Sequence, residues 1–435
     1  MSAADDIIEV TVAELDGRGC GIALGPDGED VSLPGVLPGE SARARVEHRS
    51  GAGRIFARPV EITAAAPDRV DPGCPHFLTC GGCDLLHADL AHQHAFKRRQ
   101  VAAALGRPVA AVEPVVASPR THGYRALAKL VVRADGVLGS YRPRTHDVTD
   151  MQGCRVHAPE VEAVVDAIRA ALKVHPVALR YVLVRGALSE GTTVVTFVAR
   201  HASVDGLDAL VIQLAARPDV ARVVLNVNDR EGDALLGDTD VVLHDGPAPR
   251  EQIGSVTASL AAGAFSQVNP LAAARLYEVV VNEAAPDGRS VLDLYCGSGG
   301  IALALAAAGA RRVLAVDVDP RAAAAAEASV VDNGMQGRVE VRAARAEDVT
   351  EVAAEIVILN PPRKGAAASV LEAVSALRPA RLVYVSCNPK SLARDLEALE
   401  ALGPMEVRRV VPVDLFPHTR HVETVVSVDL LALEG

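Results

Sequence analysis

Residues 290–300 read SVLDLYCGSGG, and residues 312–320 read RVLAVDVDP. Each is a short β-rich run that breaks at a turn and passes into an Ala-rich stretch of helical character, from about residue 300 and over 321–332. The pattern repeats as a strand over 356–359, a helix over 366–377, a strand over 381–386 and a helix over 391–402. Such alternation predicts an α/β unit with a doubly wound, Rossmann-like parallel sheet and ligand sites at the carboxyl ends of its strands. Two final runs, 405–413 and 423–430, predict an antiparallel hairpin that closes the sheet.

Toward the amino terminus the pattern changes twice. The first 66 residues carry five short β-rich runs divided by Gly and Pro turns, at 7–13, 20–24, 30–33, 42–47 and 55–62. Five strands in so little chain predict a small closed, OB-like β-barrel, because closure removes the edges such strands would otherwise expose. The aperiodic, Pro- and Asp-rich segment AAAPDRVDPG at 64–73 marks a boundary. Beyond it an α+β region runs to about residue 253, with helices expected at 92–105, 158–172 and 204–216 and strands at 126–134, 194–199 and 222–228.

The whole chain has 435 residues, 49% of them hydrophobic, a formal net charge of −11 and no Trp. That length sustains several cores and excludes a disordered or disulfide-stapled chain. The amino-terminal MSAADDIIEV has neither the basic nor the apolar region of a signal peptide, and the longest apolar stretch is too short to span a bilayer. A cytoplasmic protein with no membrane partner is expected. Net acidity argues against indiscriminate nucleic-acid coating, yet residues 91–150 hold ten basic side chains against four acidic ones. Lys97, Arg98, Arg99, Arg107, Arg120, Arg125, Lys129, Arg133, Arg142 and Arg144 thus form a candidate phosphate-contacting face.

Three strand ends carry the chemistry of a bound cofactor. In the turn YCGSGG, which follows Asp293, the residues Gly297, Gly299 and Gly300 let a ligand approach the backbone and meet a helix amino terminus. Asp317, at the second strand end, can accept from both ribose hydroxyls of a bound nucleoside, and Asn360 opens NPPRKG beside the same crevice. An acidic residue at one strand end with Asn-Pro-Pro at a later one points to S-adenosylmethionine rather than a nicotinamide dinucleotide. Cys387, in VYVSCNPKS, lies between a strand and a helix opened by Pro389, where a thiol can serve as a nucleophile or pack as a small apolar residue.

Cys74, Cys80 and Cys83 follow the spacing C-x5-C-x2-C, and Cys154 comes after a long insertion. Four thiolates can hold a [4Fe–4S] cluster or a structural zinc, and spacing alone does not decide between them. Cys20 and Cys296 fall outside this pattern and are read as packing residues; His76, His87, His92 and His94 are read as satisfied or exposed.

Taken together and in their order, VSCNP, DLYCGSGG, NPPR, FSQVNP and FPHTRHVE resemble the RNA uracil-5-methyltransferase family, whose members make 5-methyluridine in transfer or ribosomal RNA. The resemblance spans most of the chain. VSLPGVLPGE in the barrel is similar to the TRAM domain of many members, and CPHFLTCGGC to their iron–sulfur motif. The resemblance implies that Cys387 adds to carbon-6 of the base, making carbon-5 enolate-like and able to accept a methyl group, and that Glu423 then removes the carbon-5 proton. It further implies cofactor contacts from Gln267, Tyr295, Gly297, Asp317 and Asn360, and a [4Fe–4S] cluster rather than zinc on Cys74, Cys80, Cys83 and Cys154. The chain departs from the family at Asn360, where Asp is usual, and at Gly300, where Asn is frequent.

The organisation expected is a multidomain one: residues 1–66 as a TRAM/OB-like barrel, 67–253 as a central RNA-binding region with the cluster, and 254–435 as a Rossmann-like methyltransferase domain. By resemblance, residues 91–124 can pack back onto that last domain. A monomer acting on tRNA or rRNA is expected. The rival readings are a cytosine-5 methyltransferase acting on RNA or DNA and an RNA-binding or folding factor without activity.

Overall fold

The computed structural model describes residues 6–143, 145–232, 234–260, 266–349 and 352–431. Arg144 of the basic segment and Phe265 of FSQVNP lie outside the described residues. Strands β1 (Ile7–Leu15), β2 (Cys20–Leu24), β3 (Asp30–Pro34), β4 (Ser41–Arg49) and β5 (Ile55–Ala64) form a closed barrel in the order β1-β2-β3-β5-β4. Period-two alternation drives it: in β1 the side chains of Ile8, Val10 and Val12 point inward and those of Glu9 and Thr11 outward. The aperiodic segment after β5 is strapped to the barrel rather than free. Glu40, fully buried, accepts from the amides of Leu37 (2.7 Å) and Ala66 (3.1 Å) and from the Arg69 guanidinium (2.5 and 2.8 Å).

After α1 (Leu90–Ala104) comes a seven-stranded central sheet. Its strands are β6 (Leu127–Val132), β7 (Leu138–Tyr141), β8 (Val148–Asp150), β9 (Tyr181–Ala187), β10 (Thr192–Ala199), β11 (Val220–Val227) and β12 (Thr239–Asp245), in the order β12-β11-β10-β9-β6-β7-β8. Two helices, α2 (Pro159–Val174) and α3 (Leu207–Ala215), cover one face. Val161, Val164, Val165, Ile168 and Leu172 recur at helical spacing on α2 and pack on Val182, Val184 and Phe197.

The carboxyl-terminal part begins with the hairpin β13 (Arg250–Ile253) and β14 (Val256–Ser259), followed by α4 (Pro270–Ala284). It continues as β15 (Ser290–Leu294), α5 (Gly300–Ala307), β16 (Arg312–Asp317), α6 (Pro320–Asp332), β17 (Val339–Ala343), β18 (Ile356–Leu359), α7 (Ala368–Leu377), β19 (Arg381–Ser386), α8 (Pro389–Leu402), β20 (Met405–Val413) and β21 (Glu423–Leu430). The sheet order is β17-β16-β15-β18-β19-β21-β20; the first five strands are mutually parallel and β21 runs antiparallel to both neighbours. All four residues of β18 are buried, as a strand with helices on both faces requires. The hairpin β13–β14 rests on α6, where the Thr257 amide donates to Asn333 (2.9 Å) and the Ser259 amide to Ser329 (2.9 Å).

Helix α1 does not join the central sheet; it packs on α8 and β20. Asp89 caps it by accepting from the His92 amide (2.7 Å). Lys97, with 0% exposure, donates to Asp414 (2.5 Å) and to the Phe416 carbonyl (2.9 Å), while His94 approaches the other Asp414 oxygen (3.2 Å). Burial opposes ionisation of Asp414, but the His94 hydrogen bond and the Lys97 charge outweigh it and hold the carboxyl below its usual range. Of the expected basic face, Lys97 is the residue corrected, whereas Arg99, Arg107, Arg120, Lys129, Arg133 and Arg142 are exposed. Lys97 is an interior ion pair, Arg98 donates to the Val112 carbonyl (2.7 Å), Arg125 to the Leu127 carbonyl (2.9 Å), and Arg133 is neutralised by Asp135. A charge count treats every cation as solvated, which is why it overstates the surface. His87 also departs from expectation, being fully buried with no hydrogen-bond partner for either ring nitrogen, so burial pushes it down to about 3. Among the described residues no helix is long and apolar enough to cross a membrane.

Lys97→Met leaves the Asp414 carboxylate buried without its cation and is expected to cost about 3–5 kcal/mol of stability. Lys97→Met with Asp414→Leu should recover most of that loss in a thermal melt; equal melting of the two variants would contradict the assignment.

Candidate active site

The site lies along the carboxyl ends of the parallel strands. After β15 the chain takes left-handed backbone at Tyr295 (φ 63°), Gly297 (56°) and Gly299 (81°), which turns it into α5. The Gly297 amide donates to one oxygen of Asp317 (2.9 Å) and the Asp319 amide to the other (2.9 Å). The Asp317 carboxylate is thereby fixed at the end of β16 while each oxygen keeps a lone pair for a ligand hydroxyl. Burial pushes the Asp293 carboxyl beneath the turn up to about 8, the Ala302 amide in the first turn of α5 pulling the other way. Gly300 is required sterically: a Cβ there would stand 2.3 Å from the Tyr277 hydroxyl and 2.8 Å from its ring carbon Cζ. Tyr277, on α4, thus fills the space into which the family's frequent asparagine would project.

Asn360 follows β18, half-buried, with its amide donating to the Leu294 carbonyl (3.3 Å). Gln267, also half-buried, is held on both sides. Ser266 accepts from Arg185 (2.6 Å), and Asn269 caps α4 at the Ala272 amide (3.1 Å) and donates to the Leu415 carbonyl (2.9 Å).

Ser386, the last residue of β19, pairs with Thr424 of β21, so the next step of the antiparallel register sets Cys387 opposite Glu423. Burial pushes the Cys387 thiol up to about 11; the Glu423 charge adds to the rise and Arg363 counters it. Glu423 is 6% exposed, and burial pushes its carboxyl up to about 7. Read across the sheet, Asp317, Gly297, Asn360, Cys387 and Glu423 follow one another along β16, β15, β18, β19 and β21. A thiol and a carboxyl that titrates near neutrality therefore occupy one end of the row, and the glycine turn with its carboxylate the other.

Cys387 opens onto a cleft of about 1220 Å³ between the barrel, α1 and the amino end of α8. Arg99 of the basic segment and His92 also line it, whereas Gln267, Tyr295, Gly297, Asp317, Asn360 and Glu423 do not. Cations predominate in its wall: Arg18, Arg99, Arg363, Lys390 and Arg420, against Glu14, Asp16 and Asp68. Arg363, Arg420 and His421 were not singled out from the sequence, although they sit inside NPPRKG and FPHTRHVE. Arg420 is oriented by Asp84 (2.8 Å), and burial pushes His421 down to about 4, so its ring is neutral near pH 7.

Cys74, Cys80 and Cys83, from one segment, and Cys154, from another, are half-buried and make no disulfide. They sense one another electrostatically: burial pushes Cys83 up to about 12, and the charges of Cys80, Cys154 and Cys74 add to it. At Cys154 burial also raises the pKa, but the His157 hydrogen bond outweighs it and draws the thiol toward thiolate. The donor type fits a thiolate-held metal or cluster. Among the described residues, however, no three or more His, Cys, Asp or Glu side chains are gathered as a preformed metal-ion site.

Because the Glu423 carboxyl titrates near 7 when folded and near 4.5 otherwise, the folded state keeps a proton that the unfolded chain loses between those values. Stability therefore falls as pH rises through that window. Glu423→Gln should melt higher than the wild type at pH 8, by up to about 3 kcal/mol, and nearly level with it at pH 4. A variant less stable at pH 8 would contradict the buried, unpaired carboxyl.

The sequence model of the tRNA (uracil-5-)-methyltransferase family matches residues 255–430. An RNA methyltransferase of Geobacter sulfurreducens is 37% identical, over 98% of this chain and 90% of its own length. One from Halalkalibacterium halodurans is 33% identical over 98% and 97%. The solved structure of the tRNA (uracil-54, C5)-methyltransferase of Pyrococcus abyssi, in complex with S-adenosyl-L-homocysteine, superposes with a TM-score of 0.78 at 24% identity, over 97% of this chain and 99% of that one. At that identity the superposition establishes a shared fold.

Proposed function

Since the chain belongs with these RNA methyltransferases and its residues 255–430 match the tRNA (uracil-5-)-methyltransferase model, we propose that it methylates carbon-5 of a uridine in transfer or ribosomal RNA, with S-adenosylmethionine as the donor. The observation that carries this reading is the register that sets Cys387 opposite Glu423. Carbon-5 of uracil is too weak a nucleophile to take a methyl group unaided. Addition of the Cys387 sulfur to carbon-6 breaks the 5,6 double bond and gives carbon-5 enolate character. The cofactor supplies an electrophilic methyl group to that carbon. Glu423, ionised, takes the proton from carbon-5; the 5,6 double bond re-forms and the carbon–sulfur bond breaks, returning the thiolate. Arg363, the cation beside Cys387, favours the thiolate that begins and ends the cycle.

In this reading Asp317 accepts from the ribose hydroxyls, the backbone at Tyr295 and Gly297 admits the cofactor, and Gln267 and Asn360 face it from either side. The barrel, as a TRAM domain, and the cationic wall of the cleft hold RNA phosphates while the target base is unstacked and drawn in, a step that costs a few kcal/mol and least in a loop. Cys74, Cys80, Cys83 and Cys154 hold a [4Fe–4S] cluster that organises this region. Asn360 supports a second reading, cytosine as the base, because an amide can present a donor or an acceptor to either pyrimidine edge.

Incubation of unmodified transfer and ribosomal RNA with S-adenosylmethionine and the anaerobically purified protein, followed by nucleoside mass spectrometry, should yield 5-methyluridine. Cys387→Ala should abolish it, and Glu423→Gln should stall as a covalent protein–RNA adduct bearing the methyl group. Appearance of 5-methylcytidine instead would replace the uridine reading. The same preparation should contain iron and sulfide with broad visible absorption that each cysteine substitution removes; stoichiometric zinc without iron would overturn the cluster assignment.

A further inference from the structure

The chain has six Tyr, six Phe and no Trp, so exposed aromatic surface is scarce. Tyr124, Tyr277 and Tyr384 are buried, and Tyr141, at the end of β7, is 40% exposed. It is the one aromatic among the exposed large apolar side chains of the described residues.

Its surroundings flank the ring without covering it. Partial burial raises the Tyr141 pKa, and the neighbouring Tyr181 phenol adds to the rise. Tyr181 is itself flanked by the Lys129 ammonium, 5.9 Å from its ring centre, and the Arg180 guanidinium, 5.7 Å away. His146 meets the Tyr141 ring edge-on at 5.7 Å. His146 and Arg142 also line a separate cavity of about 380 Å³ beneath the β7–β8 turn, which shares no residue with the Cys387 cleft. In that cavity Arg133 is neutralised by Asp135, and Asp147 contributes one negative charge. Arg142 makes no ion pair among the described residues and is the cavity's available permanent cation.

An exposed ring, beside a small cavity with an unpaired guanidinium, matches the two parts of a nucleotide: a planar base and a phosphate. We propose that Tyr141 and Arg142 form a second RNA contact, outside the catalytic cleft, that stacks one unpaired base on the Tyr141 ring and seats a neighbouring phosphate against Arg142. The contact rests on the RNA substrate of the proposed function and adds to it a fixed second point on the RNA. With one available cation its strength comes from stacking more than from charge.

Affinity for unmodified transfer and ribosomal RNA transcripts, measured without methyl donor across a salt series, tests this. Tyr141→Ala should weaken binding of the substrate RNA by about 5- to 100-fold, and Tyr141→Phe, which keeps the ring, should bind near wild type. Arg142→Gln should weaken it less and reduce the salt slope by about one. The single-turnover methylation rate at saturating RNA should be unchanged in all three. Wild-type affinity in Tyr141→Ala, or equal loss in Tyr141→Phe, would overturn the proposal; a face built for a protein partner would give the first result, and so would a wild type that binds neither RNA refute it. Arg142→Gln removes only an exposed side chain, so it reads the site even where Tyr141→Ala melts early. Failure of the uridine reading looks different: RNA binding still depends on Tyr141, but no 5-methyluridine forms.

Discussion

A lysine ammonium and a carboxylate sealed from water, Lys97 on α1 and Asp414 just past β20, tie the catalytic sheet to the chain that precedes it. Neither charge is tolerable in the interior alone, so α1 lies along the sheet rather than beside the central strands with which it is contiguous in sequence. The connection from β20 to β21 is fastened by the same helix and its neighbours. Gln93 accepts from the His418 amide (2.8 Å), Tyr124 donates to the Pro417 carbonyl (3.1 Å), and the Leu85 amide donates to the His418 carbonyl (2.9 Å). Glu423 begins β21 at the end of this fastened loop, and α1 is at once the wall of the cleft and the anchor of the Glu423 carboxyl.

The second constraint is topological. Parallel strands bring their carboxyl ends to one edge, and β21 enters between β19 and β20 in the opposite sense. Its first residue therefore arrives where β19 ends. That reversal ends the row of strand-end residues with a thiol and a carboxyl in register. Burial then sets the carboxyl near neutrality without any charged partner of its own.

The fold class was legible because its signals are local: period two in β1, apolar runs ending in glycine turns, and helices opened by Pro320 and Pro389. Helix α4 and strand β9 were missed although both carry an apolar pattern; the rest of what escaped was short, polar or paired at a distance. Strands β7 and β8 have four and three residues, β12 is largely exposed, and β17 carries charged side chains, so none stands out as an apolar run. The strand ends bearing Asp317, Asn360 and Cys387 could be read from sequence, but not that Cys387 and Glu423 face each other, because register is a property of two segments. The charge-rich stretch at 91–150 misled for a related reason. Lys97 and Arg98 read as surface cations until the partners brought by the fold, Asp414 and the Val112 carbonyl, are known.

The contact between Gly300 and Tyr277 bears on how this site can change over time. Two positions 23 residues apart share one volume, which either a phenol from α4 or a side chain at the start of α5 can fill, but not both. A lineage moving from glycine to asparagine at 300 must first shed the ring at 277, passing through a form with a small cavity, whereas the reverse order places a Cβ only 2.3 Å from the Tyr277 hydroxyl at the sheet's glycine turn. Cavities are tolerated more readily than such overlaps, so the path between the two arrangements has a preferred direction.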